Sequence, residues 1–149
     1  MNTKVLFKFW LPVILWVGFI FWMSTDTFAS AKTSSIIVPL LHWLAPSLSD
    51  AEIDVIHGII RKMAHITEYF ILGLLLFRAL RGDSTSAKAY RWAFYSLCAV
   101  AFIAATDEFH QSFVASRTAS IVDVGFDSLG GLMAQCALLI RSRLHRSVR

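Results

Sequence analysis

Four stretches of this chain are apolar over lengths that match the thickness of a lipid bilayer. Residues 5–23, 63–80, 91–107 and 120–140 carry few charges. Each is long enough to cross a hydrocarbon core about 30 Å thick as a helix. The apolar residues come in blocks and do not alternate with polar ones, so these are not the amphipathic helices of a small soluble core. Charged residues make up 16% of the chain, against roughly 25% in an ordinary soluble domain. The expected architecture is therefore all-α. It is a bundle of about four transmembrane helices with one short outer interfacial helix, forming a single domain over residues 1–149.

The excess of positive charge points to membrane orientation. Lys4, Lys8, Arg78, Arg81, Lys88, Arg91 and four arginines of the C-terminal tail fall on one side of the expected spans; Lys32, Arg61, Lys62 and Arg117 fall on the other. This ten-to-four split places both termini in the cytoplasm and the two longer connections outside. No basic stripe interleaves with aromatics, so nucleic acid is not an expected partner. The first block also has features of a signal peptide, with Ala29-Ser30-Ala31 as the cleavage-like site. That site lies well beyond the apolar run, and the run is rich in bulky aromatics, so the block is expected to stay as a span. Cys98 and Cys136 lie inside apolar blocks and read as small buried residues. Trp10, Trp22, Trp43, Tyr90 and Trp92 read as interfacial belts. His42, His57 and His145 fall in segments expected to be exposed or interfacial and attract no functional weight.

Between the first two spans, Ile36, Ile37, Leu40, Leu41 and Leu44 recur at helical spacing, with Pro39 expected near the helix start or at a kink. Ser49-Asp50-Ala51-Glu52 is a capping-box pattern. It predicts one long helix from Asp50 to about Leu80, embedded from Met63 onward. A polar turn follows from Arg81 to Tyr90, with Gly82, Asp83, Ser84 and Ser86. The third span is expected to end at Asp107, with a connection over 108–119. The fourth begins near Ser120 and gives way to a basic tail after Ile140.

Ionisable groups inside membrane helices are costly, so each is a functional hypothesis. On the second span, Lys62, His65 and Tyr69 share a stripe, with Glu68 beside it. At the end of the third, Asp107 and Gln111 share a face with Glu108 adjacent. On the fourth, Asp127 lies one turn below Asp123, and Gly130, Gly131 and Ala134 continue that face, where another helix can approach closely. Alternating helix direction puts all three groups at the outer end. Lys62, His65 and Arg117 are expected to offset Glu68, Asp107, Glu108, Asp123 and Asp127 in one outward-facing polar pocket.

The first functional reading is a binding site for a membrane lipid headgroup or lipid-linked cell-wall precursor. Lys62 and Arg117 would grip phosphate or carboxylate, Arg117 bidentately. His65, Tyr69 and Gln111 would hydrogen-bond the rest, and the carboxylates would hold the basic side chains in place. The alternative is a membrane-embedded hydrolase or transferase acting on a lipid-linked substrate. In it, His65, Asp107, Glu108, His110 and Asp123 serve as metal ligands, or Glu108 or His65 serves as a general base. The spacing matches no established metal motif, and Lys62 beside His65 disfavours a bound cation, so neither metal nor cofactor is expected. Four spans without a repeat are few for a transporter, unless a homo-oligomer supplies more. The plainest reading is that these groups only glue helices together.

The residues also carry a resemblance. Lys62-Met-Ala-His65-Ile-Thr-Glu68-Tyr69-Phe-Ile-Leu-Gly73 resembles the second-helix signature of the VanZ-like family. Asp107-Glu108-Phe-His-Gln111, continuing through Arg117 to Ser120-Ile-Val-Asp123, is similar to its second signature, and Asp127-Ser-Leu-Gly130-Gly131 extends it. Ser24 sits where the family tends to have a serine. The chain departs from the pattern at Arg61, where an acidic residue is usual, at Ser116, where glycine is frequent, and at Asp127, where asparagine is common. The resemblance implies a small polytopic protein of the bacterial inner membrane. The family takes its name from a member linked to teicoplanin resistance.

Overall fold

A computed structural model describes residues 3–84, 89–117 and 119–147. Lys88 and Arg149 of the charge balance, and Ser86 of the polar turn, lie outside the described residues. Among the described residues the chain forms five helices: α1 (Thr3–Met23), α2 (Ser30–Leu44), α3 (Asp50–Arg81), α4 (Ala89–Gln111) and α5 (Ile121–Ser147). All but α2 are long and apolar enough to cross a membrane. The protein is an all-α, multi-pass membrane protein. Large apolar side chains cover its outside, among them Ile14, Leu15, Phe94 and Phe102. In water that surface would be a large liability; in lipid it is the solvated one.

Pro12 shapes the start of α1. It has no N–H to offer the carbonyl of Lys8 four residues earlier. The helix widens into a π turn over Leu6–Trp10, and Nη2 of Arg78 donates to the Lys8 carbonyl at 3.1 Å. An exposed Lys8–Asp83 ion pair at 2.8 Å lies beside it. The start of α1 and the end of α3 therefore share one end of the bundle. At the opposite end, the Ser24 hydroxyl donates to Asp107 on α4 at 2.7 Å.

α3 is the central element and packs on every other helix. Its capping box forms as the sequence predicts. The Ser49 side chain accepts from the Glu52 N–H, and the Glu52 carboxylate accepts from the Ser49 N–H. It ends at Gly82, the one described residue with positive φ, 54°. Its 32 residues span about 48 Å, more than a hydrocarbon core requires.

α5 packs into α3 and α4 through two adjacent glycines. A Cβ on Gly130 would overlap the Ile66 backbone carbonyl of α3, and one on Gly131 would sit 2.6 Å from Cγ1 of Val100 of α4. Below this contact the Gln135 amide donates to the Gly73 carbonyl and to Ser96 Oγ, both at 3.1 Å. Trp16 Nε1 donates to the Glu68 carbonyl at 2.9 Å and ties α1 to α3.

Several expectations need correction. Of the two places expected for Pro39, the helix start is excluded: it lies inside α2. α4 continues past Asp107 to Gln111, because Asp107, Glu108 and Gln111 are buried against neighbours rather than released into a connection. α5 runs on through the basic segment after Ile140. Cys98 and Cys136 are exposed on the outer faces of their helices, not buried.

Candidate functional site

The first half of α3 presents Asp54, His57, Gly58, Arg61, Lys62 and His65 along one face, at the three- and four-residue steps of a helix. They line a cleft of about 430 Å³ at the bundle end away from the termini. The opposite wall is Asp123, Phe126 and Asp127 of α5, and Ser116 and Arg117 of the α4–α5 connection close it together with Ser30 at the start of α2.

Three cations converge here. Among the described residues, none of Arg61, Lys62 and Arg117 has a carboxylate within ion-pair distance. Arg61 makes no hydrogen bond with a described residue. Lys62 Nζ rests over the Phe126 ring, 4.7 Å from its centroid. Arg117 Nη2 donates to two backbone carbonyls, Met23 at 2.5 Å and Thr25 at 3.2 Å, and its buried Nε has no partner. Burial, and then the like charge of Arg61, push the Arg117 guanidinium below its ordinary value. The turn that presents these carbonyls is pinned by Asp26. Its exposed carboxyl is held below the usual range by Lys32 and then by Ser116.

At the deep end of the cleft, His65 Nδ1 lies 3.3 Å from Oδ1 of Asp127. Asp127 is wholly buried. The pair is within ion-pair distance but outside hydrogen-bond alignment, and both Asp127 oxygens are otherwise without a partner. His57 is also buried, with Nε2 3.1 Å from the Thr33 hydroxyl.

A smaller pocket of about 140 Å³ adjoins the cleft between α2 and α3. Met23, Phe28, Ile37, Ile60 and Ala64 make it mainly apolar. Arg61, His65 and Arg117 line both spaces and form their shared wall.

With this geometry in place, a family model described as VanZ/LLP1 matches residues 9–141 of the 149. The chain belongs to the VanZ/LLP1 family. No curated protein and no solved structure matches it.

The two VanZ/LLP1-like signatures do not all face one space. Of the ten site residues read from the sequence, Lys62, His65, Arg117, Asp123 and Asp127 line the cleft, and Glu68 lines the adjoining pocket. Tyr69, Asp107, Glu108 and Gln111 line neither. Tyr69 lies wholly inside the bundle, because one turn deeper than His65 the same face of α3 meets the packed core instead of the cleft. Asp107 looks toward the end of α1. Its Oδ2 accepts from Ser24 at 2.7 Å and from the Gln111 amide at 3.0 Å. Glu108 accepts the Ser120 N–H at 2.8 Å, ahead of α5. The expected offsetting of cations by carboxylates is also corrected: among the described residues only His65, of the three cations named for it, has a carboxylate within ion-pair distance, whereas Arg117 meets backbone carbonyls and Lys62 an aromatic ring. Among the described residues no three His, Cys, Asp or Glu side chains group as metal ligands.

Sequence reasoning missed Asp54, His57 and Arg61. A signal existed: the stripe through Lys62 and His65, stepped back by turns, passes through all three. It was hidden because His57 was placed on an exposed segment, whereas α2 folds over it through Thr33.

Proposed function

We propose that this chain binds the anionic headgroup of an envelope lipid or lipid-linked cell-wall precursor in the cleft. In this reading the cleft opens on the outer face of a bacterial cytoplasmic membrane, and both termini are cytoplasmic. One observation carries it: three cations line the cleft and none of them, among the described residues, is in ion-pair contact with a carboxylate. Asp54, Asp123 and Asp127 line the same cleft but stand outside ion-pair reach of these three, so no carboxylate holds the cationic donors, and an entering phosphate or carboxylate would make charge-assisted hydrogen bonds with them. The apolar pocket across the shared wall suits the chain end of the same molecule. Helix gluing accounts for Ser24, Asp107 and Gln111, but it gives no reason for three unpaired cations.

The test is binding of purified protein to vesicles or nanodiscs of phosphatidylglycerol against phosphatidylcholine. Wild type is expected to prefer the anionic lipid. Arg117→Lys is expected to weaken binding about 10- to 100-fold although charge is kept, because a lysine cannot hold two carbonyls and an anion in one plane. Equal binding of both lipids, or an Arg117→Lys protein that binds like wild type, defeats the reading. A role in teicoplanin tolerance would follow if the bound group is a cell-wall precursor. Susceptibility of cells with and without the protein tests it.

A further inference from the structure

Arg61, His65 and Arg117 stand where the polar cleft meets the apolar pocket. In an acylated membrane lipid, the bond at the boundary between head and chain is an ester. The side chain placed at that boundary with a buried carboxylate behind it is His65. Its Nδ1 is sealed against Asp127 at 3.3 Å, so the edge of the ring that carries Nε2 is the one open to the cleft. Asp127 is fully buried and has no other partner. A carboxylate kept in such a place for one imidazole adds little stability, but at this distance it favours a proton on Nδ1 and so biases the tautomer of the ring.

We propose that the site hydrolyses an acyl ester of an anionic lipid, with His65 as the catalytic base and Asp127 as its positioning residue. This rests on the headgroup-binding reading above. His65 Nε2 takes a proton from water as the water oxygen bonds to the ester carbonyl carbon. The carbonyl electron pair moves onto its oxygen, which Arg61 and Arg117 are placed to stabilise. The tetrahedral intermediate collapses and the bond to the head-side oxygen breaks. That oxygen leaves with the electron pair and takes the proton back from Nε2. The products are a fatty acid, which loses its proton to solvent, and a head group ending in a hydroxyl; water is the only co-reactant. The acyl ester is favoured over a phosphoester on geometric grounds. Entering and leaving oxygens on one carbonyl carbon lie within reach of a single imidazole, whereas in-line displacement at phosphorus puts them on opposite sides.

The experiment uses the purified full chain in nanodiscs of phosphatidylglycerol with a labelled acyl chain, in water enriched in oxygen-18. Lipid retention and fatty-acid release are read separately. Wild type is expected to release fatty acid carrying one heavy oxygen. His65→Gln and Asp127→Asn are expected to lower the rate of release on the order of 100-fold or more, a much larger loss than either causes in lipid retention. Wild type that retains lipid but releases no more fatty acid than protein-free discs overturns the hydrolysis proposal alone. So does release that His65→Gln leaves intact, or fatty acid without the heavy oxygen. Wild type that fails to retain the lipid overturns the binding reading, and this one with it. The isotope result is obtained on wild type and does not depend on how either variant folds.

Discussion

Asp107 is wholly buried near the end of α4, and Oδ2 of its carboxylate meets two neutral donors, the Ser24 hydroxyl and the Gln111 amide. Its other oxygen, Oδ1, has no partner. Taking away the closer donor leaves Oδ2 with a single partner. Ser24→Ala is expected to destabilise the protein by about 1–3 kcal/mol, read as a lower melting temperature in detergent. Ser24→Ala melting like wild type would mean that the contact carries no net stability. At this scale, single ionisable residues in apolar runs were legible: Lys62, His65 and Asp127 stand out because lipid penalises them. The partnership of Ser24 with Asp107 was not, because 83 residues separate the two and nothing local to either signals the other.

The capping box before Asp50 fixes where α3 begins, and the sequence carries that signal whole, since all its atoms lie within four residues. Helix ends were harder. α4 and α5 outlast the apolar runs because the polar residues that seemed to end α4 are buried by other elements, and because the basic residues of α5 remain good helix formers. The small-residue face of α5 was legible as a close-contact surface, but not that it serves two helices at once. Gly130 faces α3 backbone, which cannot move aside like a side chain. Gly130→Val is expected to destabilise by about 1–3 kcal/mol or more, whereas Gly125→Ala, in open space on the same helix, is expected to be neutral or to stabilise by up to about 1 kcal/mol. Thermal unfolding of the two variants side by side checks this. Equal losses would show that helix propensity, not contact, sets the cost.

The bundle holds the cleft, with its cations and carboxylates, at one end and the start of α1, with the end of α3 and the Lys8–Asp83 pair, at the other. Because Cys98 and Cys136 are exposed on outer faces, replacing both with alanine is expected to shift the melting temperature by no more than a few degrees. In that background, a membrane-impermeant maleimide applied to intact cells is expected to label Ser35→Cys and to reach Asp83→Cys only after permeabilisation. Labelling in the reverse order would turn the cleft toward the cytoplasm. One contact also ties the sequence's options together. At residue 12 the ring nitrogen leaves an oxygen of the previous turn short of its customary neighbour, and an arginine some seventy positions later makes up the shortfall. Arg78→Leu should therefore be tolerated better once Pro12→Ala is already in place. Each of the two residues makes the other harder to give up, so drift at one is held back by the other.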